Sequence, residues 1–373
     1  MIRRLFLLLA FFLSFEIVNA DWRIDFNTNS GYTNNLTNNY KKIKDKYIAP
    51  QLRVSYHNNN FTLYYKGNST QLLDSVKYNR YKQKFGFNYY QNITNNINLY
   101  FGGRGLWRKN KSLYSYYDYL DSRLFTNLKI YFSNRTYLKT GIVSNYKNFF
   151  EVESWRHIEN DLWTMINTSL PTKTTLRGYL SYKNRDFLSY QDTSGQIQEI
   201  NTLWLLEGKF RIAQSISRDI GAYTEFSYQY NPSEDNPDKL NFSSFSPIDD
   251  YFGYLGWNWI TNVKTRIFNN SIFALKFNYF RRKYLNRPVY EYNIAQEEWI
   301  VENGSYNIIE PHRIDEGYKI NLSAEYRFKS VFGRSNNFRI KSYIFYRENT
   351  SNDVYFTYDK IALGLDLTYL MNL

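Results

Sequence analysis

The sequence predicts an all-β fold: a single closed antiparallel transmembrane β-barrel of about sixteen strands. Three observations lead there. Apolar residues recur at every second position over stretches longer than the strands of ordinary soluble sheets. The joints between these stretches alternate between short and long. The last segment, Ile361 to Leu373, keeps its two-residue rhythm to the end, where chains are normally frayed and polar.

The first twenty residues, "MIRRLFLLLAFFLSFEIVNA", have the layout of a secretory signal peptide. Arg3 and Arg4 precede an apolar run from Leu5 to Phe15, and Val18 and Ala20 supply a small-residue cleavage site. The run is too short to remain as a membrane-spanning helix, which needs about 20 apolar residues. The expected domain organisation is therefore a cleaved segment 1–20 and a barrel over 21–373. The rest of the chain is rich in strand and turn formers, with 38 Tyr, 28 Phe and 20% aromatic residues. The absence of cysteine excludes a disulfide framework and thiolate metal sites.

Taken in order, the expected strands begin at Arg23–Asn27, Gln51–His57 and Phe61–Lys66, each alternating apolar or aromatic with polar residues. Phe85, Phe87 and Tyr89 then alternate with Lys84, Gly86 and Asn88; Ile97, Leu99 and Phe101 alternate with Asn98, Tyr100 and Gly102. Leu124, Leu128, Ile130 and Phe132 share a face opposite Arg123, Asn127, Lys129 and Tyr131. Less regular candidates follow at Tyr137–Asn145, Asp161–Thr168, Thr175–Lys183 and Leu203–Ile212. Ile220, Ala222, Phe226 and Tyr228 oppose Gly221, Tyr223, Glu225 and Ser227. Tyr251–Thr261 and Ile272–Arg282 come next. Ile314, Tyr318, Ile320, Leu322 and Tyr326 oppose Gly317, Lys319, Asn321, Ser323 and Arg327. Phe338, Ile340 and Ile344 oppose Arg339, Lys341 and Tyr343.

A soluble strand averages about five or six residues, whereas a bilayer-crossing strand needs about 9–11, and several of these stretches reach that length. Only alternate residues of such a strand meet lipid, so mean hydropathy stays low even in a membrane protein. Counting from Asp21, the even-to-odd joints are mostly short: "HNNN" at His57–Asn60, "QNITNN" at Gln91–Asn96, "SNRT" at Ser133–Thr136 and "QSISR" at Gln214–Arg218. The odd-to-even joints are mostly long, as at Asn34–Asp45, Asp186–Glu199, Asn231–Asp250 and Asn286–Arg313. Short turns on one side and long loops on the other are the habit of membrane barrels. Trp22, Trp107, Trp163, Trp204, Trp257 and Trp259 fall toward strand ends, where an interfacial girdle would hold them.

The final strand must pair with the first, because an open edge in hydrocarbon leaves backbone groups unpaired. Its lipid face is expected to be Ile361, Leu363, Leu365, Leu367, Tyr369, Met371 and Leu373. In this it resembles the terminal strand of Gram-negative outer-membrane β-barrel porins, although those usually end in Phe. The resemblance implies localisation in the cell outer membrane. It also implies contact with outer-membrane lipid and lipopolysaccharide, insertion by the barrel-assembly machinery, and a possible homo-oligomer.

The face opposite the apolar one carries Arg53, Lys82, Lys84, Arg104, Arg123, Lys129, Arg177, Lys209, Arg211, Lys319, Arg327, Arg339 and Lys341, with Lys66, Lys139, Lys183 and Lys276 beside them. Its carboxylates are far fewer, among them Asp25, Asp121, Glu207, Glu225, Glu325 and Asp366, and the net charge is +13. A lumen so lined holds a positive field and favours anions. The expected function is passive diffusion of small hydrophilic, preferably anionic, solutes, acidic oligosaccharides being a narrower version. A structural or adhesive surface barrel without transport is the alternative.

No nucleic-acid-binding motif accompanies the positive charge. No catalytic residues and no cofactor are expected. His57 lies at a short turn, and His157 and His312 lie at loop edges near Glu159 and Glu310, with no nucleophile motif alongside. No metal site is expected: Glu234, Asp235, Asp238, Asp249 and Asp250 read as a solvated acidic loop. The apolar residues Val289, Tyr290, Tyr292, Trp299, Ile300 and Val301 in the longest loop call for something to fold on: the barrel mouth, or a hairpin above the membrane.

Overall fold

In the computed structural model the chain closes into one antiparallel barrel of sixteen strands, each bonded to its neighbours in sequence and the last bonded to the first. The structure describes residues 21–372 apart from 189, 192–196, 199–201, 232–252, 269, 285–286, 303 and 330–336. The segment 1–20, the acidic residues Glu234 to Asp250 and Leu373 lie outside the described residues.

The barrel strands are β1 (Asp21–Thr33), β2 (Asp45–Asn58), β3 (Phe61–Leu72), β4 (Arg80–Thr94), β5 (Ile97–Asn110), β6 (Tyr119–Tyr131), β7 (Thr136–Phe149) and β8 (His157–Ser169). They continue as β9 (Thr174–Phe187), β10 (Leu203–Ser215), β11 (Ile220–Tyr230), β12 (Leu255–Arg266), β13 (Ser271–Tyr284), β14 (Arg313–Lys329), β15 (Asn337–Ser351) and β16 (Tyr358–Asn372). They run from 11 to 17 residues, enough to cross a bilayer and project beyond it. Every joint of four residues or fewer lies at one end, the turn end, and most of the longer ones lie at the other, the loop end. No described helix is long and apolar enough to cross a membrane, which says nothing of strands.

The surface is inverted relative to a water-soluble protein. Large apolar side chains point outward and stay exposed: Leu180 is 65% exposed, and Phe85 and Leu162 are each 58% exposed. Polar side chains are the buried ones, among them Ser55, Asn98, Asn127, Asn167 and Asn262. Exposed apolar patches on this scale need a non-aqueous partner, and a bilayer supplies it for every strand at once. A shallow groove of about 480 Å³ between Leu162, Leu180, Leu206 and Tyr228 belongs to this outer, lipid-facing surface.

Closure is made by β1 and β16, in register from Arg23 opposite Asn372 to Thr33 opposite Ala362. The register puts Ile361, Leu363, Leu365, Leu367, Tyr369 and Met371 on the outward face with Phe26 and Tyr32, and Asp366 and Thr368 on the inward one. Inside the seam, Gly31 and Gly364 sit opposite each other. Their missing side chains make room for Tyr47 of β2 and Tyr343 of β15, which lean in from either side and join hydroxyl to hydroxyl across the seam. Tyr343 also donates to Asn29 Oδ1 at 3.2 Å. The seam is thus clasped by side chains of strands flanking it.

The long loop after β13 builds short ladders of its own, Val289–Tyr290 with Ile308–Glu310, Tyr292–Asn293 with Glu298–Trp299, and Val301–Glu302 with Ser305–Tyr306. It docks against loops 34–44 and 352–357. The Tyr292 ring lies 4.7 Å from Trp299 and 5.7 Å from Tyr355. Tyr40 and Tyr292 share a hydroxyl contact of 2.5 Å, and Lys41 pairs with Glu297. The apolar residues of this loop therefore fold on neighbouring loops and on one another.

Candidate functional site: the inner wall

Strand alternation and the pairing register fix which side chains face inward. Every basic residue of the expected wall falls on the inward register face. Arg53 stands opposite Lys66, and Lys66 opposite Lys84. Lys82 stands opposite Arg108, Gly86 opposite Arg104, and Arg104 opposite Arg123. Lys129 faces Lys139, Arg177 faces Arg211, and Lys209 faces Tyr179. Lys319 stands opposite Arg347, Arg327 opposite Arg339, and Lys341 opposite both Glu325 and Asp366. The parity is uniform because each strand presents its polar set to the side away from lipid.

The charges are not spread evenly in their pairing. On β8 to β11 most of the cations are matched: Glu207 holds Lys183 at 3.2 Å and Lys209 at 2.8 Å, Arg211 meets Glu225 at 2.6 Å, and Arg185 meets Glu159 at 3.2 Å. On β14 to β16, Arg327 meets Glu325 at 2.6 Å and Arg339 meets Asp366 at 3.4 Å. Arg177 donates to Asn167 Oδ1 at 3.2 Å. On β2 to β6 the situation differs. Among the described residues, no carboxylate forms an ion pair with Arg53, Lys66, Lys82, Lys84, Arg104 or Arg123. The Nε atoms of Arg53 and Arg104 have no hydrogen-bond partner there either.

What supports this row is aromatic. Gly86 leaves space for the ring of Tyr64, which lies between the Arg53 guanidinium, 5.6 Å away, and the Lys84 ammonium, 5.5 Å away. A ring between like charges attracts both through its negative face while leaving their net charge intact. A stripe of cations on neighbouring strands, spaced by about 4.8 Å per strand, is a place where an anion can exchange from one to the next.

Sequence parity groups these basic residues on one face of the strands, but it does not show which of them are neutralised. Lys319, Arg327, Arg339 and Lys341 stood out as a cluster on neighbouring strands, yet Arg327 and Arg339 are engaged by Glu325 and Asp366. Two further readings are corrected. Trp163 is no girdle residue: it faces inward, opposite Gly141 and Ser181, whereas Trp22, Trp107, Trp204, Trp257 and Trp259 face outward. His157 is no solvated loop residue: it begins β8, is 4% exposed, and its Nδ1–H donates to the Trp155 carbonyl at 2.8 Å. No group of His, Cys, Asp and Glu that could hold a metal occurs among the described residues.

No protein-family model and no curated protein sequence matches the chain. Solved structures do match in fold. OccAB1 of Acinetobacter baumannii superposes with a TM-score of 0.53 at 9% identity, over 96% of this chain and 97% of that one. OccD3 (OpdP) of Pseudomonas aeruginosa gives 0.50 at 11% identity, over 94% and 91%. The outer membrane protein opdK of Pseudomonas aeruginosa gives 0.49 at 10% identity, over 95% and 99%. At such identities the likeness is one of fold alone: a single closed antiparallel barrel of sixteen strands.

Proposed function

We propose that the protein is an outer-membrane channel for passive diffusion of small hydrophilic solutes and that it favours anions. The observation that carries this reading is the uncompensated row on β2 to β6. Arg53, Lys66, Lys84, Arg104 and Arg123 follow one another across five neighbouring strands on the inward face, and no described carboxylate pairs with them. Sixteen strands enclose a lumen wider than side chains alone fill. The remaining basic positions, Lys82, Lys129, Arg177, Lys209, Arg211, Lys319, Arg327, Arg339 and Lys341, contribute to the same wall to the degree that their carboxylates leave them charged. Export through cleavage after Ala20, an environment of outer-membrane lipid and lipopolysaccharide, delivery by the barrel-assembly machinery and assembly as a homo-oligomer belong to this reading. The docked loops at the loop end favour the second reading, a surface barrel whose loops bind partners.

Purified protein in a planar bilayer decides between them. With dilute salt on both sides and a gradient across the membrane, the reversal potential takes the sign of anion selectivity. Dilution matters because the Debye length is about 10 Å at 0.1 M and about 3 Å at 1 M. Replacing Arg104 and Arg123 together by Glu shifts the reversal potential toward cations, since lumen positions tune selectivity more than stability. Folded protein that does not conduct supports the surface-barrel reading; cation preference in the unaltered protein removes the anion claim and leaves the channel.

A further inference from the structure

The ladder that contains Lys129 is a path as well as a row. Following directly opposed residues gives Asn98, Lys129, Lys139, Met165, Tyr179 and Lys209, then Ser227, Asn258 and Phe280. Asn98 is next to the turn-end residue of β5, Tyr179 is in the middle of β9, and Asn258 is close to the loop-end residue of β12. The line perpendicular to the strands therefore climbs the inner wall from the turn end toward the loop end, as it must in a barrel of tilted strands.

Aromatic rings flank this path at each step. Lys129 lies 4.4 Å from the Tyr131 ring and 4.2 Å from the Tyr137 ring. Lys139 lies 5.0 Å from Tyr100 and 5.6 Å from Trp163, and Lys209 lies 5.0 Å from Tyr179. Trp163 and Tyr179 stack at 6.2 Å with their planes 23° apart. These rings are half-buried and inward, so each keeps part of its surface toward the lumen. Among the described residues, Lys129 and Lys139 form no ion pair, and each ammonium keeps donors for an incoming anion. A unit that gives a carboxylate to one of these ammoniums lays its own ring against an aromatic face beside it. The unpaired ammoniums stand on the neighbouring strands β6 and β7, about 4.8 Å apart; the rings of Trp163 and Tyr179 carry the path on across β8 and β9 to Lys209, which Glu207 holds at 2.8 Å.

We infer that this climbing lane binds acidic oligosaccharides, chains of sugar rings that each carry a carboxylate. The inference rests on the channel reading above and deepens it. A small inorganic anion uses the cations alone, and a neutral sugar uses the rings alone. Only a chain carrying both engages the ammoniums of Lys129 and Lys139 together with the rings that continue through Trp163 and Tyr179. The single-ring acid engages one step of the lane.

The test uses the full barrel in a planar bilayer, with oligogalacturonate as the probe. Maltohexaose and monomeric galacturonate are the comparisons. Oligogalacturonate is expected to interrupt the current in resolved blockades at concentrations where both comparisons leave it steady. Trp163→Ala and Tyr100→Ala each shorten the blockades by about two- to tenfold, the loss expected for one ring contact, while the reversal potential in plain salt keeps its sign. Lys139→Gln shortens them as well and serves if a ring variant fails to migrate as a folded barrel on unheated gels. Anion-selective current with no oligogalacturonate blockade overturns the lane and leaves the channel. Equal blockade by maltohexaose overturns the acidic class, and absence of any conductance overturns both readings.

Discussion

A methyl group added at Gly364 tests how the barrel is closed. The Cβ of an alanine there would overlap the Tyr343 ring, which occupies the space the glycine leaves. Tyr343 must then swing away, and it takes with it the hydroxyl contact to Tyr47 and the bond to Asn29 Oδ1 at 3.2 Å. Two neutral hydrogen bonds are worth about 1–3 kcal/mol together. Replacing glycine within a strand returns roughly 0.5–1 kcal/mol, so the net loss is about 1–2 kcal/mol, and the clasp outweighs the backbone effect. Guanidinium unfolding of the refolded protein in vesicles, followed by tryptophan fluorescence, measures it. The partner variant is Tyr343→Ser, which loses the same bonds without any overlap. If the clasp is the reason for the loss, Gly364→Ala costs nothing in the Tyr343→Ser background and returns the roughly 0.5–1 kcal/mol of the backbone effect instead, so that the coupling between the two sites is at least of the order of the single losses. Additive losses would refute the reasoning, as would a Gly364→Ala barrel as stable as the original.

Leu365, 40% exposed on the outward face of β16, is expected to cost about 2–4 kcal/mol when changed to Lys at the bilayer midplane. Leu370→Lys on the inward face should cost far less; similar refolding yields into vesicles for the two would show the face assignment to be wrong. Thr368 is unsuitable as the inward control, because its hydroxyl accepts from Arg339 Nη2 at 2.9 Å and from Asn27 Nδ2 at 2.8 Å. At the loop end, burial pushes the carboxyl of Asp353 from an ordinary 3.8 up to about 6, with Asp315 raising it further and Arg313 and the Tyr355 N–H, 3.0 Å away, opposing. The folded loop thus binds the proton more tightly than the unfolded one. This contribution is fully present below the ordinary value and lost as pH rises through about 6. Limited proteolysis of loop 352–357 should be slower at pH 4.5 than at pH 7.5 (conditions chosen to fall about a unit and a half either side of that value), and Asp353→Asn should flatten the difference; an unchanged pH dependence in the variant would assign it elsewhere.

The strands were legible because lipid imposes a rule on alternate residues, and the rule leaves its mark wherever the chain meets hydrocarbon. Phe85 and Phe87, or Leu363 and Leu365, can be read without knowing their neighbours. Where strands run on beyond the apolar band the mark disappears. Only Arg23–Asn27 alternates clearly in β1, yet the strand continues through Thr28, Asn29, Ser30, Gly31 and Tyr32 to Thr33. Likewise β3 continues from Lys66 through Asn68, Ser69 and Thr70 to Leu72. Nothing in these polar residues asks for a strand; their backbones are held because β2 and β16 offer ladders on either side of β1, and β2 and β4 on either side of β3. The inward set followed from the same parity. The partners of each charge did not, because register between strands is decided by turn geometry and by contacts such as Tyr47 with Tyr343, far apart in sequence.

This difference between parity and register bears on how a polar lumen acquires selectivity. Parity alone makes the inner wall basic, and a basic wall neutralised residue by residue would be merely wet. Register divides it. On β8 to β11 it brings Glu207, Glu225 and Glu159 against Lys209, Arg211 and Arg185 and so closes the charges on one another. On β2 to β6 it sets Lys66 between Arg53 and Lys84, and Arg104 between Gly86 and Arg123, with no ion pair to a described carboxylate. Like charges on adjacent strands are unfavourable for the barrel. Asp25 stands opposite Arg53 but is engaged by Arg23 at 2.9 Å, and Asp121 on β6 stands opposite Leu106 and Lys147, so neither carboxylate forms an ion pair with these five cations among the described residues. Their juxtaposition is understandable if a mobile anion supplies the missing charge in passing, which is why exchanging Arg104 and Arg123 for Glu should alter selectivity without costing the fold.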